Sequence, residues 1–178
     1  MGRLVTKVTL MLGAAFLAGC SYSVSTGGSD TIDPAKVEGE ISTQMTKQYP
    51  DIPVNSVTCP DGIKPAQGVT FECSVQLEGV QLPVKVTITQ MDLGKETFSY
   101  DMKPTKTVLI LEGIVESIKT ALRDQKVPNA TVDCGTAPVR VVEVGGAIEC
   151  IISEGSNRLV VRGVVQDVDG TVRFEQQD

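Results

Sequence analysis

The five cysteines have the widest choice of chemistry among the side chains of this 178-residue sequence. A cysteine can act as a nucleophile, bind a metal, form a disulfide or carry a lipid. The sequence contains no histidine, so it lacks the usual general base near neutral pH and the commonest metal ligand. Composition therefore excludes Ser–His and Cys–His nucleophilic arrangements.

A catalytic role would have to rest on serine, lysine or carboxylate side chains. Ser74 could pair with Lys85, and a carboxylate pair could be drawn from Glu72, Glu78 and Asp92. These residues fall in predicted strands and turns, where a solvated surface position is the usual case for polar side chains. We therefore expect a protein that is not an enzyme and that has no cofactor.

Cys20 ends a segment with the composition of a secretory signal. Arg3 and Lys7 form a positive region, a short apolar stretch follows, and Leu17-Ala18-Gly19-Cys20 comes directly after it. This arrangement resembles the bacterial lipobox, in which the chain is cut before the cysteine and the sulfur receives a diacylglycerol. The alternative is an ordinary signal peptide with an accidental cysteine. We predict cleavage after residue 19 and lipidation of Cys20.

Lipidation would anchor the chain to the extracytoplasmic face of the cell membrane. The apolar stretch is shorter than the ~20 residues that a spanning helix needs, which disfavours an uncleaved membrane anchor. Loss of residues 1–19 would remove two basic residues and change the formal net charge from −6 to −8. We expect so acidic a body to bind no nucleic acid, since that requires a basic surface.

The sequence after residue 32 repeats itself with an offset of 75 to 77 residues. An apolar triplet with a spacing of four residues, a pair of cysteines and a set of strand residues each occur twice. A common offset over a whole module indicates tandem copies. The matching residues are Val37 and Ile114, Ile41 and Ile118, Met45 and Leu122, Cys59 and Cys134, Cys73 and Cys150, Leu82 and Leu159, Val84 and Val161, Val86 and Gly163, and Phe98 and Phe174.

The repeat divides the chain into four parts. Residues 1–19 form the lipoprotein signal peptide, and residues 20–32 form the lipidated cysteine and a flexible tether of small polar residues. The first repeat covers residues 33–103 and the second covers residues 104–178.

Each copy begins with an amphipathic helix and continues with strands. Asp33-Pro34 is a favourable helix start, whereas Val84, Val86 and Ile88 alternate with polar residues as in a sheet with one buried face. Asp169-Gly170 is a strong hairpin signal. The patterns predict an α+β fold of two tandem copies, each with one helix packed on a roughly four-stranded antiparallel sheet and one disulfide.

The four cysteines outside the lipobox allow three pairings. Cys59 and Cys73 are 14 residues apart, and Cys134 and Cys150 are 16 residues apart. A zinc site or a redox pair would favour Cys-x-x-Cys spacing, and export permits disulfides. The repeat favours one bridge within each copy, because the module must have folded alone before it was doubled.

The segments Val57–Gly62 (VTCPDG) and Gly68–Val75 (GVTFECSV) resemble the domain-of-unknown-function 4333 family. That family occurs mainly in actinobacterial envelope proteins, often lipoproteins, so the resemblance implies an envelope location and paired cysteines. It implies no catalytic residues. The second copy departs from the pattern, because Gly135 replaces the proline and two residues are inserted before Cys150.

Two classes of function remain for the tethered part. The first is a non-catalytic binding module for an envelope protein or a wall component, and the second is a carrier or sensor of a small apolar envelope ligand such as a lipid. Simple alternation leaves Val160, Arg162 and Val164 on the exposed face of a strand, and exposed apolar residues ringed by polar ones mark contact surfaces. The alternative is that another part of the chain covers this face.

The segment Asp167-Val168-Asp169-Gly170 faintly resembles a calcium loop, but a hairpin turn accounts for it and no metal site is expected.

Overall fold

The computed structural model describes residues 9–10, 22–25, 31–92 and 97–176. These residues belong to two compact units. The N-terminal unit extends to Thr105, and the C-terminal unit comprises residues 106–176 together with the short strand β1 (Thr9–Leu10). The division after Thr105 lies two residues beyond the boundary expected at residue 103.

The N-terminal unit consists of one helix and a five-stranded antiparallel sheet. Its strands follow the order β2-β6-β5-β4-β3 across the sheet. The elements are β2 (Tyr22–Ser25), α1 (Pro34–Gln48), β3 (Val54–Thr58), β4 (Thr70–Leu77), β5 (Val80–Asp92) and β6 (Thr97–Pro104).

Helix α1 begins where the sequence predicts. The Asp33 carboxylate accepts a hydrogen bond of 3.1 Å from the backbone N–H of Ala35, and Pro34 occupies the first helical position. The buried residues of the helix are Val37, Ile41 and Met45. Their spacing of four residues places them on one face. In strand β5 every second residue from Leu82 to Ile88 is buried, so helix and sheet each contribute one apolar face to the core.

The C-terminal unit also has one helix and a five-stranded antiparallel sheet, with the strand order β1-β12-β11-β10-β8. A separate pair of antiparallel strands, β7 and β9, completes it. The elements after β1 are β7 (Thr107–Ile110), α2 (Leu111–Asp124), β8 (Thr131–Asp133), β9 (Val139–Val142), β10 (Ala147–Glu154), β11 (Asn157–Val165) and β12 (Val172–Gln176).

The core of the C-terminal unit lies between α2 and one face of its sheet. The buried helix residues Leu111, Ile114 and Ile118 belong to the same cluster as Cys150 and Val161 of the strands. The predicted α+β class, the antiparallel sheets and the helix in each unit are confirmed. Each sheet has one strand more than the four expected, because a segment from the N-terminal part of the chain pairs with its edge. Strand β1 lies within the predicted signal peptide, so cleavage after residue 19 would leave the C-terminal sheet with the four strands β12-β11-β10-β8.

The flexible-tether prediction is wrong for residues 22–25, which form strand β2. Tyr22 pairs with Tyr100 and Ser25 pairs with Thr97, so β2 extends the sheet beyond β6. The sequence Tyr-Ser-Val-Ser alternates apolar with small polar residues, and β6 would otherwise present a free edge of backbone N–H and C=O groups. The small polar composition of residues 20–32 indicates neither this alternation nor the free edge of β6. The rest of the predicted tether up to residue 30 lies outside the described residues.

The proposed match of Phe98 with Phe174 is also wrong in strand register. Phe174 pairs with Gly163, whereas Val86, the counterpart of Gly163 in the repeat, pairs with Met102. Phe174 therefore occupies the position of Met102. The hairpin between β5 and β6 is longer than that between β11 and β12, and a constant sequence offset does not detect this difference.

Candidate functional site

The four cysteines outside the lipobox form two disulfides, one in each unit. Cys59 is bonded to Cys73 with a Cα–Cα distance of 4.3 Å, and Cys134 is bonded to Cys150 with a Cα–Cα distance of 4.1 Å. In each bridge one cysteine lies in a strand, and the other directly follows the neighbouring antiparallel strand. All four cysteines are buried. The predicted pairing within each copy is confirmed.

Helix α1 is tied to the first disulfide by a carboxylate. The Glu38 side chain accepts a hydrogen bond of 2.8 Å from the backbone N–H of Cys59. The residue 77 positions later is Val115, which has no acceptor in its side chain. The N-terminal unit therefore has a link between helix and disulfide that the C-terminal unit does not reproduce.

Ser74 and Lys85, the serine–lysine combination that a catalytic role could have used, are not directly opposed in the sheet. Ser74 pairs with Pro83, and Lys85 pairs with Glu72 on one side and with Lys103 on the other. Lys85 and Glu72 are both exposed. The strand register thus places a carboxylate, and not the serine hydroxyl, opposite the lysine.

Cys20 and the other lipobox residues lie outside the described residues. No helix in the described ranges is long and apolar enough to cross a membrane.

The predicted binding residues Val160, Arg162 and Val164 lie on the face of β11 that is turned away from α2. Their neighbours Val161 and Val165 are buried in the core under that helix. Arg162 is exposed, and Val160 and Val164 are half-buried. We call this side of the C-terminal sheet the open face.

The open face contains a concavity of about 800 Å³. Val160 and Arg162 line it, whereas Val164 does not. The charged side chains of the lining are three arginines and two carboxylates, and Ala147, Ile151 and Val160 provide apolar surface. The charged residues are Arg140, Arg158, Arg162, Asp133 and Glu149.

Strand register fixes the positions of the residues on the open face. Arg162 lies between Glu149 of β10 and Glu175 of β12, and Val160 lies opposite Ile151. Arg158 and Arg162 are separated by four residues of β11 and therefore by ~13 Å along the strand. The two arginines stand on either side of Val160.

Arg140 reaches the concavity from β9. An added Cβ on Gly135 would meet the Nη2 atom of Arg140 at 2.8 Å, so the guanidinium packs against the backbone of Gly135. Gly135 has a φ of +101°, which only glycine adopts easily. Its N–H donates a hydrogen bond of 2.8 Å to the Asp133 carboxylate. The turn after β8 therefore places a carboxylate and a guanidinium at the same edge of the concavity.

The three arginines have no ionic partner within the described part of the chain. The side chains of Arg140, Arg158 and Arg162 form no salt bridge or hydrogen bond with another described residue. Two arginines elsewhere in the unit form salt bridges: Nη2 of Arg123 lies 2.9 Å from Oε1 of Glu116, and Nε of Arg173 lies 3.5 Å from Oε1 of Glu175. The donors of the concavity are thus available to a bound group.

Sequence reasoning identified two of the lining residues and missed the other charged ones. The alternation that exposes Val160 and Arg162 also applies to Arg158 and, in β10, to Glu149. That signal was present in the sequence. Arg140 could not be found in this way, because it comes from a strand that belongs to a different sheet.

The loop that faintly resembles a calcium site is held by its own hydrogen bonds. The Asp167 carboxylate accepts hydrogen bonds from the backbone N–H groups of Asp169 (3.1 Å) and Thr171 (3.0 Å). A hydrogen bond from the Thr171 side chain, together with these N–H groups, lowers the pKa of Asp167 from its ordinary value. The described residues contain no cluster of three or more His, Cys, Asp or Glu side chains that could hold a metal ion.

Comparison with protein families identifies one match. Residues 15–92 match the family described as Domain of unknown function (DUF4333). The search of curated proteins and the search of solved structures each found no match. The matched segment contains the Leu17–Cys20 motif, helix α1 and the Cys59–Cys73 disulfide. The resemblance inferred from the cysteine motifs is therefore confirmed, and residues 15–92 of this chain are similar to the DUF4333 family.

Proposed function

We propose that this chain is a non-catalytic binding module of the bacterial cell envelope, anchored to the extracytoplasmic face of the cell membrane by a lipid on Cys20. The observation that carries the binding role is the concavity on the open face. Its volume of about 800 Å³ falls within the usual range of ligand sites. Its three arginines have no ionic partner among the described residues, so they offer donors to an envelope component.

The lipid anchor is supported by the sequence and by the extent of the family match. Arg3 and Lys7, the short apolar stretch and the motif Leu17–Cys20 have the order found in lipoprotein precursors. The family match begins at residue 15, so the motif lies inside the matched segment. Two or more acyl chains anchor a protein stably, whereas one does so only marginally.

Strand β2 leaves only a short distance between the proposed lipid and the N-terminal unit. Tyr22 is already paired with Tyr100, and it follows Cys20 by two residues. Two residues span at most ~7 Å, whereas the predicted flexible tether would span about 20 Å. We infer that the N-terminal unit is held beside the lipid headgroups.

The two units are proposed to be diverged copies of one module. Each has a helix, an antiparallel sheet and a disulfide that joins a strand cysteine to the residue directly after the neighbouring strand. Cys73 pairs with Val84 in one sheet, and Cys150 pairs with Val161 in the other. The faces of the two sheets that point away from the helices differ, because Pro83 of the N-terminal sheet stands at the register position of Val160, which lines the concavity in the C-terminal sheet. Binding is therefore assigned to the C-terminal unit.

The alternative role as a carrier of an apolar ligand has less support. In the C-terminal unit the apolar face of the sheet is already covered by α2. Five charged side chains line the concavity on the other face, and an apolar ligand would have to desolvate them without compensation.

The anchor is tested by replacing the proposed lipid-bearing cysteine. In a host that processes lipoproteins, the wild-type chain should take up labelled fatty acid and sediment with membranes. Cys20→Ser should take up no label and should accumulate as precursor or appear in the medium. A cleaved Cys20→Ser chain that still sediments with membranes would refute the anchor.

The binding role is tested with two substitutions on the same strand face. Val160→Asp places a third carboxylate in the concavity and should abolish capture of an envelope component by the anchored protein. Val164→Asp is the matched control, because this valine is also half-buried and lies on the same strand face but does not line the concavity. Equal capture by the two variants, both folded by circular dichroism, would show that the concavity is not the binding surface.

A further inference from the structure

The charge of the concavity differs from that of the chain as a whole. The chain has 22 acidic and 16 basic residues, whereas three arginines and two carboxylates line the concavity. The excess of one positive charge favours a ligand that carries a negative charge. This step rests on the proposed function and names the class of ligand for the same surface.

All the positive charge in the lining of the concavity comes from the guanidinium groups of arginine. A guanidinium presents a planar fork of donors that matches the oxygens of a phosphate or a carboxylate. Arg158 and Arg162 flank Val160 on one strand, and Arg140 packs on Gly135 at the edge. Because all three line one concavity and have no ionic partner among the described residues, each can donate hydrogen bonds to an oxyanion that binds there.

The two carboxylates add a second requirement. Glu149 lies opposite Arg162, and Asp133 accepts a hydrogen bond from Gly135 at the edge. An ionised carboxylate only accepts hydrogen bonds, so it favours a ligand with hydroxyl donors and repels a bare anion. Ile151 and Val160 between the charged residues offer contact to the C–H groups of such a ligand.

We infer that the concavity binds a polyol that carries an oxyanion, the simplest example being a sugar phosphate. The arginines bind the phosphate oxygens and the carboxylates accept hydrogen bonds from the hydroxyl groups. The same chemistry occurs in a soluble sugar phosphate and in the phosphoglycerol headgroup of an anionic lipid. Both sources place a phosphoester next to hydroxyl groups.

Calorimetric titration of the purified full chain, without its lipid, tests the soluble source. Glucose 6-phosphate should bind at least ~10-fold more tightly than glucose, which lacks the oxyanion, or inorganic phosphate, which lacks the polyol. The double variant Arg158→Gln, Arg162→Gln should lose at least ~10-fold in affinity. Arg123→Gln is the matched control, because this exposed arginine of the same unit lies on α2, and its affinity should equal that of the wild type.

A second variant separates geometry from charge and guards against misfolding. Arg158→Lys, Arg162→Lys keeps both charges but removes the planar forks, so its affinity should fall between those of the wild type and the glutamine variant. Circular dichroism checks the fold of each variant. If only the lysine variant folds, a loss of affinity in it supports the inference and an unchanged affinity overturns it.

Co-sedimentation with vesicles tests the lipid source. If vesicles of phosphatidylglycerol bind the wild type, those of phosphatidylcholine do not, and the arginine variants lose binding, then the ligand is the lipid headgroup. The inference is overturned if neither glucose 6-phosphate nor phosphatidylglycerol binds. It is also overturned if the arginine variants bind as the wild type does, or if inorganic phosphate or glucose binds equally well. Envelope capture that still depends on Val160 would then leave the proposed function standing with another ligand class.

Discussion

Gly163 lies beneath the ring of Phe174 on the neighbouring strand. A Cβ at this position would meet Cε1 of Phe174 at 2.7 Å and Cγ1 of Val172 at 2.8 Å. Val172 is fully buried, so it has little room to move. The absence of a side chain at Gly163 therefore allows the aromatic ring of Phe174 to cover the strand.

The variant Gly163→Ala should lower the free energy of unfolding by ~1–3 kcal/mol, the usual cost of overpacking a core. Denaturant unfolding measures this change. Gly39→Ala is the control: Gly39 lies inside α1 and a Cβ there would meet nothing within 4 Å. The variant Gly39→Ala should raise the free energy of unfolding by ~0.5–1 kcal/mol, because alanine has a higher helix propensity than glycine. An unchanged stability of Gly163→Ala would contradict the close packing of Phe174.

The Asp167 carboxylate should make the stability of the C-terminal unit depend on pH. Its pKa is lowered in the folded state by the Thr171 side chain and the backbone N–H groups of the turn. The stabilisation is therefore fully present above the unfolded pKa of ~3.9 and is lost as the pH falls through the lower folded value. The difference in unfolding free energy between the wild type and Asp167→Asn should shrink below pH ~4. A difference that stays constant from pH 7 to pH 3 would contradict the role of the charge.

Residues were predictable from the sequence where their chemistry is local or repeated. The disulfide pairs Cys59–Cys73 and Cys134–Cys150 followed from the repeat alone. Arg140 was not predictable, because its place at the concavity depends on how a strand of another sheet and the turn at Gly135 are arranged. Contacts between residues far apart in the sequence produce no periodic pattern of apolar and polar residues from which they could be predicted.

At the scale of elements, both helices and the central strands follow from periodicity, but the edge strands do not. The buried triplet of α1 and the alternation of β5 are the residues that the sequence analysis names. Strands β1 and β2 have only two and four residues, and they form by pairing with an edge that lies far away in the sequence. A segment this short has too few residues to establish a period.

Strand β2 is tested by hydrogen–deuterium exchange of the mature chain. Pairing with β6 should slow the exchange of about half of the amides in residues 22–25, since an edge strand donates only alternate N–H groups to its neighbour. The exposed turn around Gly155 provides an internal reference for fast exchange. Random-coil exchange rates at all four amides would show that this segment is a flexible tether after all.

At the scale of the molecule, the two units divide the proposed tasks. The N-terminal unit carries the segment that is similar to the DUF4333 family and begins two residues after the proposed lipid. The C-terminal unit carries the concavity with its three arginines. Under the proposed duplication and lipid anchor, one copy holds the membrane end and the other copy is free to diverge at its open face.

Photo-crosslinking at Val160 in the native envelope tests the central claim most directly. A photoreactive phenylalanine analogue is introduced at Val160 or, as the control, at Pro83, which has the same register position in the other sheet. The account predicts that irradiation of the anchored protein gives a discrete adduct from position 160 and none from position 83. Equal adducts from both positions, or no adduct from position 160, would contradict the assignment of binding to the open face of the C-terminal unit.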